Sequence, residues 1–258
     1  MNQSVFPRTQ AFAGDASIPY ASTITLGEIA AEDMHKALVL KKFGLDFCCG
    51  GKRTLAEACA AKNLPVETVE QALEAVVPDV AGNPTLHHRA WPASFLADYI
   101  VQVHHRYVRQ ILPELSAYAG KVARVHGERH PELLEIRQLV QDISEEMTAH
   151  MYKEEHILFP YIKVLDSKTD AQHAGAPFPT VQAPINMMET EHESAGGIMA
   201  RIRELTLDYT VPEGACGSYR LLYSLLEAFE KDLHIHVHLE NNILFPKAIE
   251  LEKVKSEK

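Results

Sequence analysis

Apolar positions recur along this chain with the period of a helix, and no segment shows the two-residue alternation of a strand. Near the start, Leu26, Ile29, Ala30 and Leu38 fall at helix-like spacing. Thr25, with Glu28 three residues on, reads as a capping box opening the first helix. The run GLDFCCGGK at 44–52 breaks the pattern, because Gly44, Gly50 and Gly51 favour turns. Helices are predicted from about Thr54 to Lys62 and from Pro65 to Val76, with Pro65 in the first turn. Residues 78–88, PDVAGNPTLHH, have the composition of a linker. Four long helical patterns follow, near 93–119, 131–163, 182–209 and 218–251. The breaks between them, HGERHP, DSKTDAQHAGAPFPT and VPEGACGS, are rich in Gly or Pro. The expectation is an all-α protein: a flexible tail over 1–22, a small helical domain over 23–80, and an antiparallel four-helix bundle over 90–258.

Composition narrows the function classes. A formal charge of −10 argues against a nucleic-acid partner, which needs a basic face. No apolar run approaches the roughly 20 residues that cross a bilayer, and the first residues lack the basic-then-apolar order of a secretory signal. A cytoplasmic protein without a membrane partner is expected, free to form a homodimer. Among 258 residues there are 14 histidines, several beside glutamates, and His with carboxylate is the ligand set of iron, manganese and zinc.

The histidines are organised by an internal repeat. His150 to Pro160 (HMYKEEHILFP) and His236 to Pro246 (HVHLENNILFP) both read H-x-x-x-E-x-x-I-L-F-P, 86 residues apart. Upstream, His105 and His192 lie 87 residues apart. The bundle thus reads as two helix pairs, each giving a His from its first helix and His-x-x-x-Glu from its second. Residues four apart share a helix face about 6 Å apart along the axis, so His150 with Glu154, and His236 with Glu240, can point together into the bundle centre. Four imidazole nitrogens, two bridging carboxylates and an oxo or hydroxo bridge leave about one open position on each of two six-coordinate irons. The ILFP segments are expected to pack the core, with Pro160 and Pro246 kinking or ending their helices.

His104, His126, His156, His234 and His238 lie beside the motif positions, where a helical neighbour points about 100° away and is expected to face solvent. His104 competes with His105, which is preferred. Glu146, one turn before His150, and Glu191, just before His192, are candidates for holding ligands or relaying protons, with a solvated carboxylate as the alternative. Cys48 and Cys49 precede two glycines and Lys52, which is expected to lower a thiol pKa. They form either a redox or metal- and NO-transfer thiol pair or a tight turn with two small apolar residues. Cys59 sits among alanines as a core residue, and Cys216 has no evident partner.

Over about Leu26 to Ile249 the chain resembles the iron–sulfur cluster repair di-iron proteins, the repair-of-iron-centres family. FCCGGK with TLAEAC is similar to that family's ScdA-type N-terminal domain, and HMYKEEHILFP, METEHESAG and HLENNILFP to its haemerythrin-like domain. The resemblance implies iron ligands at His105, His150, Glu154, His192, His236 and Glu240, with both glutamates bridging two irons. It implies a role in restoring iron–sulfur proteins damaged by nitric oxide or peroxide, through iron donation or nitric oxide reduction, with the N-terminal cysteines involved. Nitric oxide or oxygen would be the small ligand. Oxygen-carrying haemerythrins use five histidines; the matched set of four favours repair over a carrier or sensor. The longer N-terminus and the histidines at 104, 234 and 238 depart from the family pattern.

Overall fold

A computed structural model describes residues 23–76, 88–167 and 178–256. The expected tail, and most of the linker between the two helical parts, lie outside these residues.

Four short helices come first: α1 (Leu26–Glu32), α2 (Met34–Lys42), α3 (Leu55–Ala61) and α4 (Val66–Glu74). Thr25 opens α1 through a capping box. Its hydroxyl accepts from the Glu28 amide at 3.2 Å, and Glu28 accepts from the Thr25 amide at 2.9 Å. Thr54 and Glu57 repeat the device at α3. The two caps sit side by side in an isolated antiparallel bridge. The run 24–38 is not one helix. Asp33 is extended, ends α1 and caps α2, so Leu38 turns outward (50% exposed) while Leu26, Ile29 and Ala30 are buried. Pro65 is the N-cap of α4 rather than a residue of its first turn.

The rest forms four rods: α5 (Ala93–Ile100) running into α6 (Arg106–His126); α7 (Glu132–Lys153) into α8 (Phe159–Asp166); α9 (Gln182–Leu205); and α10 (Gly217–Leu239) into α11 (Phe245–Ser256). The first rod continues past Gly120, where a Cβ would meet nothing within 4 Å. No described helix is long and apolar enough to cross a membrane.

Three π-helical turns join the halves of the rods: Val101–His105, Glu154–Leu158 and Glu240–Leu244. Pro160 and Pro246 therefore do not end their helices. The amide of Phe159 reaches back to the Glu154 carbonyl, and that of Phe245 to the Glu240 carbonyl, one residue further than in an α-helix. The widened turn leaves room for a ring that has no N–H to donate. Each extra residue falls where a candidate ligand stands, the usual setting for such bulges.

The core is split. One apolar cluster joins the small helices to one end of the bundle, through residues such as Leu26, Leu40, Val108, Ile143 and Leu226. The other fills the opposite end with Leu96, Ile100, Phe159, Ile185 and Phe245. Along every rod the candidate ligands fall between residues of the two clusters, as His105 does between Ile100 and Val108.

Candidate metal centre

In the layer between the clusters, His105, Glu154, His236 and Glu240 offer ligand atoms that all lie within 4.8 Å of one another. His150, Glu154, His192 and Glu240 do the same. The two groups share both glutamates, and all six residues are at most 2% exposed. Nε2 of His105 stands 3.1 Å from Nε2 of His236, and the same atoms of His150 and His192 are 3.0 Å apart. Glu240 turns one oxygen to each pair, 3.0 Å from His236 and 3.1 Å from His192. Glu154 Oε2 is 3.3 Å from both His105 and His150.

The outer nitrogens explain why the inner ones face one another. His105 Nδ1 donates to Glu155 at 2.6 Å, His150 Nδ1 to Glu191 at 2.9 Å, and His192 Nδ1 to the Asn241 side-chain oxygen at 2.8 Å. Fixing the proton on Nδ1 leaves the Nε2 lone pair pointing inward. Arg109 pairs with Glu155 and Lys153 with Glu191, which anchors the acceptors. The bond from His150, opposed by partial burial and helped by Lys153, holds Glu191 at about 2. The interior calls for positive charge. Burial opposes charge on His105, but Glu154 and Glu240 outweigh it and push its pKa up to about 10; His150 reaches about 10 against the same burial through Glu154. His236 is lowered by complete burial despite Glu240.

The residues fit bound metal by a direct test. Both oxygens of Glu154, Oε2 of Glu240 and Nδ1 of His236 are buried with no hydrogen-bond partner. Buried carboxylate oxygens left unbonded cost several kcal/mol each unless a cation answers them.

Phe159 stacks on His105 with centroids 5.7 Å apart, and Phe245 on His192 at 6.1 Å. The phenylalanine of each ILFP segment thus walls the imidazole from the first helix of its own half. Glu155 and Asn241 are also repeat-mates, each following a cluster glutamate and each holding a first-helix histidine. Comparing the position after each glutamate would have exposed both.

His104 stands outside the cluster. Its Nδ1 donates to Asp232 at 2.9 Å and its ring stacks on His236 at 5.6 Å. It is buried, as is His238, contrary to the expectation of solvent-facing rings, because the π turn and the small helices cover those faces; His156 is exposed as expected. Glu146 is exposed and accepts from Ser194 at 3.0 Å, so it is not among the carboxylates at the centre.

The cysteine pair sits against the bundle. Cys48 and Cys49 are free thiols with sulfurs 3.9 Å apart, and Asp46 Oδ1 accepts from the Cys48 thiol at 3.1 Å. The bond with Cys49, burial and the Asp46 charge push Cys48 well above the ordinary thiol range. Lys52 does not act on it as expected, since its ammonium is exposed and paired with Glu189 at 2.7 Å. A cleft of about 690 Å³ lined by Lys41, Cys48, Cys49, Arg53, His192 and Arg203 opens beside the thiols where the cysteine loop meets α9 and α10. Cys59 is buried, and exposed Cys216 meets His126 Nε2 at 3.2 Å.

Comparison with known proteins matches this architecture in two pieces. Residues 96–248 match the Hemerythrin HHE cation binding domain, and residues 23–77 an N-terminal ScdA domain described as a domain of unknown function. The iron-sulfur cluster repair protein YtfE of Yersinia pseudotuberculosis is 37% identical over 225 residues, covering 87% of this chain and 96% of its own. YtfE proteins of Pectobacterium carotovorum and Pectobacterium atrosepticum are each 40% identical over 228 residues, with the same coverage. The chain therefore belongs to the family of haemerythrin-domain iron–sulfur cluster repair proteins.

Proposed function

We propose that this protein holds two irons and uses them to restore iron–sulfur clusters damaged by nitrosative or oxidative stress. The observation that carries this reading is the pair of overlapping His₂Glu₂ groups that share Glu154 and Glu240. His105 with His236 would hold one iron, His150 with His192 the other, and the two glutamates would bridge them with an oxo or hydroxo group. When bound, such a centre supplies one-electron redox chemistry and open positions for a small ligand such as nitric oxide or oxygen.

The chain's own residues do the rest. Glu155, Glu191 and Asn241 keep the proton of three imidazoles on Nδ1 and aim Nε2 inward. Phe159 and Phe245 fix ring planes and exclude water. Burial at both ends by the two apolar clusters keeps the dielectric low, so carboxylate charge acts strongly on whatever cation is held. Cys48 and Cys49 line the cleft that reaches His192, which supports a transfer role for them between the centre and a client protein.

Two modes fit this arrangement, iron donation and nitric oxide reduction. A carrier or sensor without turnover is the competing reading, and the thiol pair speaks against it, since reversible ligand binding has no use for two cysteines. Iron analysis with an optical spectrum tests the centre; about two irons per chain with an oxo-bridge charge-transfer band is the expected result, and absence of iron overturns it. Single turnover with nitric oxide then divides reduction from donation. Loss of cluster repair on Cys48→Ala with Cys49→Ala is expected, and full repair by that variant discards the thiol role.

A further inference from the structure

His192 is the one candidate ligand that the cysteine loop touches at two points. Its ring is held through Asn241: the amide oxygen accepts from His192 Nδ1 at 2.8 Å while the amide nitrogen donates to the Cys48 carbonyl at 3.2 Å. Its backbone carbonyl accepts from the Cys49 thiol at 3.5 Å. The two partners of Asn241 fix its orientation between them. Flipped, the amide would set N–H against N–H and oxygen against oxygen. The loop is also pinned beside this thread, because Asn242 donates to the Phe47 carbonyl at 2.9 Å. Gly51 packs so closely that a Cβ there would lie 2.6 Å from the Asn242 oxygen. The other first-helix ligand is held differently. His105 is braced by Glu155 and Arg109, residues of the bundle alone.

We propose that Asn241 couples the thiol loop to the metal position formed by His150 and His192, so that the chemical state of Cys49 sets how readily that position gives up its metal. The inference rests on the two-iron reading and deepens it, by naming which iron is exchangeable. Asn241 is a positioning residue. It acts through His192, whose Nε2 points inward only while Nδ1 has an acceptor, and a hydrogen-bonding partner of this kind alters metal affinity by about 10–100-fold when lost. Coupling is reciprocal, so a metal on His192 must in turn steady the loop. Cys49 is half-buried and lines the cleft of about 690 Å³, so a reagent can reach its sulfur.

The test uses full-length iron-loaded protein carrying Cys216→Ser, which removes the exposed competing thiol. Release of iron(II) to a chelator is followed before and after alkylation by iodoacetamide, in which the Cys49 sulfur forms a bond to carbon, iodide leaves and the thiol proton goes to solvent. Two phases of one iron each are expected, with alkylation speeding one of them roughly tenfold. Asn241→Asp keeps an acceptor for His192 and removes the donor to Cys48. Whatever its own iron content and basal release rates, it is expected to lose the response of release to alkylation. Glu155→Gln is expected to shift the other phase alone. Hydrogen exchange gives a second readout: amides of residues 46–51 slow on iron loading in the parent and not in Asn241→Asp. Equal acceleration of both phases, no acceleration, or a parent-like response in Asn241→Asp overturns the coupling while leaving the two-iron function standing. A chain that takes up no iron overturns both.

Discussion

Nε2 of His150 faces Nε2 of His192 across 3.0 Å, and each ring spends its Nδ1 proton on an outward partner. Nitrogens that close need positive charge between them, which a proton on His150 supplies in the metal-free protein and a metal can supply in its place. His105 and His236 stand as close, at 3.1 Å, although His236 Nδ1 has no outward partner, and two buried carboxylates add to the demand. Metal is therefore expected to stabilise the fold. At a free metal concentration a thousandfold above Kd the gain is about 4 kcal/mol, which for a chain of this size raises Tm by about 10 °C. Calorimetry of chelator-treated and iron-loaded protein measures it, and equal melting temperatures contradict it.

The two glutamates and the four histidines should differ in the number of metals they command. Glu240 directs one oxygen toward each histidine pair, whereas His192 serves one pair only. Glu240→Ala is expected to drop iron content from about two per chain to near none, and His192→Gln to about one. Metal analysis with circular dichroism as a check on folding reads both. Equal losses in the two variants would mean that the groups do not share their carboxylates.

Glu191 and Glu146 separate contact from proximity. Both stand near candidate ligands in sequence, but Glu191 accepts from His150 while Glu146 is exposed and bonded to Ser194. Glu191→Ala is expected to weaken metal binding about 10–100-fold, with Glu191→Gln partly restoring it because an amide oxygen still accepts from Nδ1. Glu146→Ala should change affinity little. Competition with a chromophoric chelator measures all three, and a loss in Glu146→Ala matching that of Glu191→Ala would refute the assignment.

These distinctions mark where the sequence was legible. The repeat His-x-x-x-Glu with its trailing Ile-Leu-Phe-Pro points to four of the six cluster residues, and the near-matched intervals point to His192 and to His105, with His104 still competing for that place. Helical period and Gly- or Pro-rich breaks also give the bundle, because amphipathic pattern is local information. The π turns were not legible. Two of them depend on how a proline without an amide proton settles in a packed helix, the third, Val101–His105, has no proline beside it, and all three change which face the following residues occupy. The burial of His104 and His238 escaped notice for that reason, and because the small domain covers part of the bundle. Lys52 was misread because Glu189, 137 residues away, takes its charge. Such long-range partners leave no trace in local spacing.

His88 gives a dependence on pH that stands apart from the metal ligands. It is buried against Trp91, with ring centroids 4.6 Å apart, and its Nε2 has no hydrogen-bond partner. Burial first, and the nearby His104 second, lower its pKa from 6.5 to about 4. In the unfolded chain the ring takes a proton near pH 6.5; in the folded protein it resists until about pH 4. The unfolded state therefore binds more protons across that window, and stability falls as pH drops from 6.5 toward 4. Above pH 6.5 the ring is neutral in both states and contributes no slope. His88→Phe keeps an aromatic ring against Trp91 and removes the titration. It is expected to flatten the decline of metal-free protein between pH 6.5 and 4 by on the order of 1 kcal/mol, leaving stability at pH 8 little changed. Urea unfolding at intervals across the range measures the difference, and an unchanged slope in the variant would show that the ring is already protonated in the folded protein.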